Sequence, residues 1–293
     1  MEDKIEILSV ELLEQHRPTV RALQRLAGTL RLEFGWHYLL DLTWIISLLG
    51  TVKDKRILDA GAGTGILQWY LAEQGAEVIS VDRLSRAHLP LRFRRRYKVR
   101  GLRSQDLLPS STLLQRSFTE KTGPQLKVKS QARELAGVVD LHRAPGRVII
   151  YNQELQNLGD LVDASMDAVV AVSALEHNPP GELPRVVSEL QRVLKPGGAL
   201  LATLGAARAD DWLHLPSQGW CYTDASLRRL FDLPSNAPSN FDRHDALFAA
   251  LRDCAELRDG LASFYYQSGD NGMPWGRWDP QYQPVGVCKV KRG

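Results

Sequence analysis

Residues 57 to 65 read ILDAGAGTG. Asp59 closes a short apolar run, and glycines at 61, 63 and 65 follow before a helical pattern resumes at about Ile66. Glycine at alternate positions after a buried strand lets the chain turn sharply and lets a ligand approach the backbone without side chains in the way. Spacing decides which ligand. A dinucleotide fingerprint is GxGxxG, with a pyrophosphate on the helix N-terminus. Here the pattern is GxGxG behind a carboxylate, which repels pyrophosphate and suits a ligand carrying an ammonium group; a nicotinamide oxidoreductase is disfavoured. The next apolar run, AEVISVD, ends on Asp82, 17 residues after Gly65. A carboxylate at that strand end accepts hydrogen bonds from both ribose hydroxyls.

The elements that must position these residues follow from periodicity. Residues 1–50 predict helices: apolar residues recur at mixed three and four spacing in VELLEQHRPTVRALQRLAG, and a second helix covers Trp36 to Leu49. Short β-branched runs then alternate with helical ones: KRILDAG, ILQWYLAEQG, AEVISVD, RVIIYNQ, DAVVAVS, a helix from about Glu182 to Leu194, and GGALLATL. Such alternation implies βαβ units and a parallel sheet covered by helices on both faces, and the uniformly apolar runs suit strands buried on both sides. ASFYYQSG and YQPVGVCKVK predict two last strands around the turn-rich DNGMPWGRWDP.

Acidic loop, GxGxG and strand-end Asp together resemble the class I S-adenosylmethionine-dependent methyltransferases. DAVVAVSALEH (167–177) and LPRVVSELQRVLKPGGALLAT (183–203) resemble that superfamily's fourth strand, following helix, proline-glycine turn and fifth strand. The resemblance spans roughly 55–82 and 147–204. It implies an α/β fold with a Rossmann-like seven-stranded sheet, parallel with one antiparallel C-terminal strand, and helices on both faces. An N-terminal helical cap over 1–50 then precedes a cofactor-binding domain over 51–293, with insertions at about 83–146 (basic) and 205–261 (an acceptor cover). The implied cofactor is S-adenosyl-L-methionine, held by Asp59, Gly61, Ala62, Gly63 and Gly65, by Asp82 and Arg83 at the ribose, by Asn152 and Gln153 beside the adenine, and by Ser173 and Ala174 at the methionine moiety. Asn152 and Gln153 depart from the acidic residue the family often has there, although an amide also bonds the adenine edge.

Methyl transfer from a sulfonium is an in-line displacement, and a hydroxyl acceptor must also shed its proton. His177, with Glu176, follows the fourth strand, and an imidazole has the right unperturbed pKa for a base near neutrality. Trp36, His37 and Tyr38, with Trp220 and Tyr222 in QGWCYTDASLRRLF, are the expected acceptor contacts; Thr223 or Asp224 would cap the helix that follows. Trp275 and Trp278 are further aromatic candidates. NPPG at 178–181 lies too far beyond the fourth strand, and lacks the aromatic residue, to match the motif of enzymes that methylate amines of nucleic acid bases. No cluster has metal spacing, and no nucleophile motif such as GxSxG occurs.

Composition bounds the remaining classes. With 44% apolar and 24% charged residues, a folded domain rather than disorder is expected. Net charge is +3, from 37 basic and 34 acidic side chains, so a generally cationic nucleic-acid binder is not indicated. Cys221, Cys254 and Cys288 are widely spaced and odd in number, which fits reduced thiols in the cytoplasm. The first residues lack the apolar core of a signal peptide. The longest apolar run, Tyr38 to Gly50, is interrupted by Asp41 and too short to span a bilayer.

Positive charge is concentrated locally. LRFRRRYKVR (91–100) packs six basic residues into ten, and 83–105 holds nine with no acidic residue. Apolar residues at 89, 91, 93, 97 and 99 predict an extended strand with one apolar face, with LKVK (126–129) as a pairing partner. The leading expectation is O-directed methyl transfer to a small molecule, with an anionic acceptor one reading of the basic segment; an RNA methyltransferase using that segment, and a non-catalytic partner subunit, are the alternatives.

Overall fold

The computed structural model describes residues 1–112, 143–262 and 277–293. They divide into two compact units, Met1–Thr51 with Leu158–Gly293, and Val52–Asn157. The fold is α/β and Rossmann-like, with ten strands among the described residues. No described helix is long and apolar enough to cross a membrane.

The first unit begins with a strand, β1 (Lys4–Ile7), where helix is expected. KIEI alternates so that Ile5 and Ile7 are buried, and it pairs antiparallel with the C-terminal run Gln283–Val290, a partner invisible to local periodicity. The first expected helix is broken at His16 into α1 (Glu11–Gln15) and α2 (Arg17–Leu30), and the second forms as α3 (Tyr38–Leu49). α2 starts with Pro18 in its first turn and buries Val20, Leu23, Leu26, Ala27 and Leu30 along one stripe. α3 is apolar almost all round and packs on strands of its own unit, as a core helix must.

The second unit is a parallel sheet built as the sequence predicts. β2 (Arg56–Ala60) pairs with β3 (Glu77–Asp82), with α4 (Leu67–Glu73) between them. The basic run departs from expectation. Leu91–Arg96 forms a helix, α5, rather than a strand. Its buried Phe93, with the Tyr97 that follows, packs on Trp69 of α4, with ring centroids 4.7 Å apart in both pairs. The alternation of apolar residues fitted a strand, but this aromatic platform accepts them in the i, i+4 arrangement of a helix. Two of the arginines are tied into the unit. Arg94 donates to the carbonyls of Leu89, Ala87 and Leu108, and Arg96 pairs with Glu73 at 2.9 Å. The short β4 (Arg100–Gly101) then joins β5 (Arg147–Asn152), which pairs parallel with β3. LKVK lies outside the described residues.

The first unit resumes with β6 (Met166–Val172), helix α6 (Leu183–Val193) and the long β7 (Leu194–Ala206), which runs parallel to β6. β8 (Trp212–His214) and β9 (Gly219–Tyr222) form a hairpin whose second strand pairs parallel with the end of β7. Helices α7 (Asp224–Leu230), α8 (His244–Arg252) and α9 (Ala255–Asp259) follow. Thr223 caps α7 as anticipated, its hydroxyl accepting from the Ser226 N–H. The last strand, β10 (Gln283–Val290), is antiparallel to β7, as the family resemblance implies. Its Gly286 faces Trp44 of α3, whose ring lies 2.5 Å from where a β-carbon would be. β1, β4, β8 and β9 are additions to the expected sheet. Of the expected ASFYYQSG strand, all but its first residue lies outside the described residues, as does Trp275.

Candidate active site

Half of the predicted site residues sit in the second unit. Asp59 is the next-to-last residue of β2 and is buried, and the loop after the strand bends through left-handed conformations at Gly61 (φ 73°) and Gly63 (φ 49°). The N–H groups of Gly61 and Ala62 both donate to the Val81 carbonyl. Gly65 closes the turn by donating to Ala62 O at 2.9 Å. Asp82 latches the loop: one carboxylate oxygen accepts the Gly63 N–H at 2.7 Å, the other the Leu84 N–H at 2.8 Å. A carboxylate has about four lone-pair sites, so each oxygen keeps capacity for a ribose hydroxyl. The glycine loop with its two acids thus fits S-adenosyl-L-methionine.

Two residues without a sequence signal brace this loop. Arg86 is buried and donates to Ser80, Tyr151 O and Gly63 O. Gln68 bridges Gly65 O and the Ser80 hydroxyl. Asn152 is spent within the unit: Oδ1 accepts the Arg86 N–H at 3.0 Å and Nδ2 donates to Asp106 O at 2.9 Å. Gln153 donates its N–H to the Asp82 carbonyl, and Arg83 is exposed.

Burial pushes the Asp59 carboxyl up to about 7, partly offset by the Arg86 guanidinium and reinforced by Asp82. A raised folded-state pKa means that the unfolded chain loses its proton first as pH rises from about 4. Stability from this group is therefore full below about pH 4 and is lost as pH rises through about 7. Asp59→Asn should flatten that fall, seen as a smaller difference between urea-unfolding free energies at pH 5 and pH 8 than in the parent; an unchanged slope would exclude Asp59 as its source.

The other half of the predicted residues sit in the first unit, most of them around one cavity with about 520 Å³ of empty space, part of it open to solvent. Trp36, His37, Tyr38, Ser173, Glu176, His177 and Trp220 all line it. Ala174 and Tyr222 do not; Tyr222 is buried behind, its hydroxyl without a partner. Residues that sequence reasoning missed complete the wall, chiefly Tyr282, Cys221, Ser217 and Gly219.

Glu176 is 6% exposed. One oxygen accepts the Ser173 hydroxyl and the other has no protein partner. Burial raises its pKa, against the pull of His177. Gly219 is small for cause, since a β-carbon there would stand 3.1 Å from Glu176 Cγ. His177 is exposed, with Nδ1 3.2 Å from the Gln218 carbonyl. His37 is buried, with Nδ1 2.6 Å from Asp41 Oδ2 and Nε2 3.4 Å from the Tyr282 hydroxyl. Trp36, packed edge-on against His37, Tyr282 and Trp278, walls the same region. Asp41 was visible in the sequence only as a break in an apolar run; its spacing of four from His37 was the signal available.

A model of a methyltransferase domain matches residues 36–235. The chain belongs to that family. It is a class I S-adenosylmethionine-dependent methyltransferase, and S-adenosyl-L-methionine is its cofactor. The methyltransferase also shares 44% identity over 43 residues with a ubiquinone biosynthesis O-methyltransferase of Bordetella avium, a stretch covering 15% of this chain and 18% of that protein. The match thus spans less than a fifth of that relative's length. Among solved structures it is similar to the 1,6-didemethyltoxoflavin-N1-methyltransferase of Burkholderia thailandensis, with 14% identity, 86% of this chain and 77% of that one covered, and a TM-score of 0.44. It is similar also to the [4+2]-cyclase SpnF, with 15% identity, coverage of 99% and 98%, and a TM-score of 0.48.

Proposed function

We propose that this methyltransferase methylates a hydroxyl group of a small, neutral, partly aromatic molecule held in the cavity of the first unit. The observation that carries the reading is the lining itself: aromatic walls from Trp36, Tyr38, Trp220 and Tyr282 around a buried carboxyl with one unpartnered oxygen. Apolar walls with a few convergent polar groups are what small-molecule sites require. No Arg or Lys is among the described lining residues, which argues for a neutral acceptor rather than an anionic one. The O-methyltransferase relative supports oxygen as the acceptor atom.

When bound, S-adenosyl-L-methionine supplies the methyl group on a sulfonium, whose sulfur keeps the bonding pair. The glycine loop and Asp82 would hold its ribose and Asp59 its cationic end. Glu176, short of a partner at Oε2, would take a hydroxyl of the acceptor and orient it. Tying down Arg94 and Arg96 inside the second unit leaves the basic run a weaker case for RNA.

Incubating the purified protein with methyl-labelled cofactor and a panel of phenols, alcohols, amines and RNA tests the reading. Label on the oxygen of small hydroxylated acceptors is the expected result. Label found on RNA, or solely on nitrogen or carbon, would replace it.

A further inference from the structure

We propose that the buried pair Asp41 and His37 is the proton acceptor of the cavity, with His37 the catalytic base and Asp41 the residue that positions it. The inference rests on the O-methylation reading above. Four residues apart on α3, the two side chains meet on one face of the helix. Nδ1 of His37 lies 2.6 Å from Asp41 Oδ2, with side chains 5% and 0% exposed. A carboxylate so placed keeps the imidazole proton on Nδ1 and leaves the lone pair on Nε2. Nε2 is on the side of Tyr282, and both His37 and Tyr282 line the cavity.

Asp41 is costly where it stands. It sits among Leu39, Leu40, Leu42, Trp44 and Ile45 on a helix that is otherwise almost wholly apolar, and its Oδ1 has no partner. Burying a carboxyl this way is tolerated when a specific partner needs it, and its partner is the cavity imidazole. His177, the other imidazole of the cavity, has only a backbone carbonyl at Nδ1 and stands exposed. No carboxylate is hydrogen-bonded to its Nδ1 to hold its tautomer, as Asp41 does for His37.

In the step, the acceptor O–H bond breaks and its proton bonds to Nε2 of His37. The oxygen's electron pair forms the bond to the methyl carbon, and the pair of the carbon–sulfur bond goes to sulfur. Asp41 remains as the counter-ion of the imidazolium. The groups facing His37 are Asp41 and Tyr38 from α3, Trp36 just before it, Tyr282 from the segment before β10, and Glu176 from the turn Leu175–His177.

His37→Asn and Asp41→Asn should each lower kcat toward a hydroxyl acceptor by about 10²- to 10⁴-fold, with S-adenosylhomocysteine affinity by calorimetry unchanged. In Asp41→Asn the neutral His37 ring should no longer keep its proton on Nδ1 in nitrogen NMR, a change that a merely structural role would not make. Nitrogen NMR of the wild-type imidazoles should show the neutral His37 ring carrying its proton on Nδ1, which needs no variant to fold and no turnover. A wild-type His37 proton on Nε2, or His37→Asn at full kcat, overturns the base while O-methylation stands. A wild-type enzyme that methylates only amines or carbons overturns the O-methylation reading and the base with it.

Discussion

Asp82→Ala should weaken S-adenosylhomocysteine binding about 10- to 100-fold, measured by calorimetry. A carboxylate at the end of β3 was expected to serve the ribose alone. The structure gives it a second task, because its two oxygens hold the N–H groups of Gly63 and Leu84. Gly63 is in a left-handed conformation with its N–H turned onto Asp82, so the shape of the glycine loop depends on that acceptor. Removing a charged hydrogen-bond partner costs about 1.5 to 3 kcal/mol, which corresponds to about 10- to 100-fold in a dissociation constant. Asp82→Asn keeps one oxygen acceptor and should fall between the parent and the alanine variant. Full affinity in Asp82→Ala would remove this residue from both roles.

Trp69→Ala should destabilise the fold by about 3 to 5 kcal/mol, the usual cost of deleting a buried Trp or Phe side chain. Trp69 is 1% exposed and stacks on Phe93 with the ring planes only 17° apart, while Tyr97 leans on it at 39°. The Tyr97 hydroxyl then donates to Glu73 on the same helix as Trp69, and Arg96 pairs with that carboxylate. The indole is therefore the surface on which α5 is assembled. Against a typical total of about 5 to 15 kcal/mol, such a loss is large. The urea midpoint should drop with it; a shift worth less than about 1 kcal/mol would mean that α5 does not depend on this platform.

These two residues mark the limit of local reading. Asp59, the glycines and Asp82 stood out because their meaning lies in short spacings next to strands that are apolar throughout. Strands buried on both faces announce themselves within six or seven residues, and β2, β3, β5 and β6 fall where they were expected. The basic run held apolar residues compatible with either a strand or a helix, and only Trp69, more than twenty residues earlier in the chain, selects the helix. Asn152 could be seen at the end of β5, but its side chain answers to Arg86 and Asp106, 66 and 46 residues away.

The acceptor cavity shows the same division. Trp36, His37, Tyr38 and Trp220 were recognisable as an aromatic supply near the expected site, because aromatic clusters are visible in a linear chain. Tyr282 was not, standing 245 residues from the imidazole it faces. Asp41 looked like an interruption in an apolar helix until packing closed water out and set its carboxylate on His37. Periodicity and glycine spacing act over a few residues, so they sufficed for the central strands, the loop and the cofactor family. Which side chains share a cavity, which arginines are already spent and which histidine has an acid behind it depend on contacts between distant segments, and those exist only once the chain has folded.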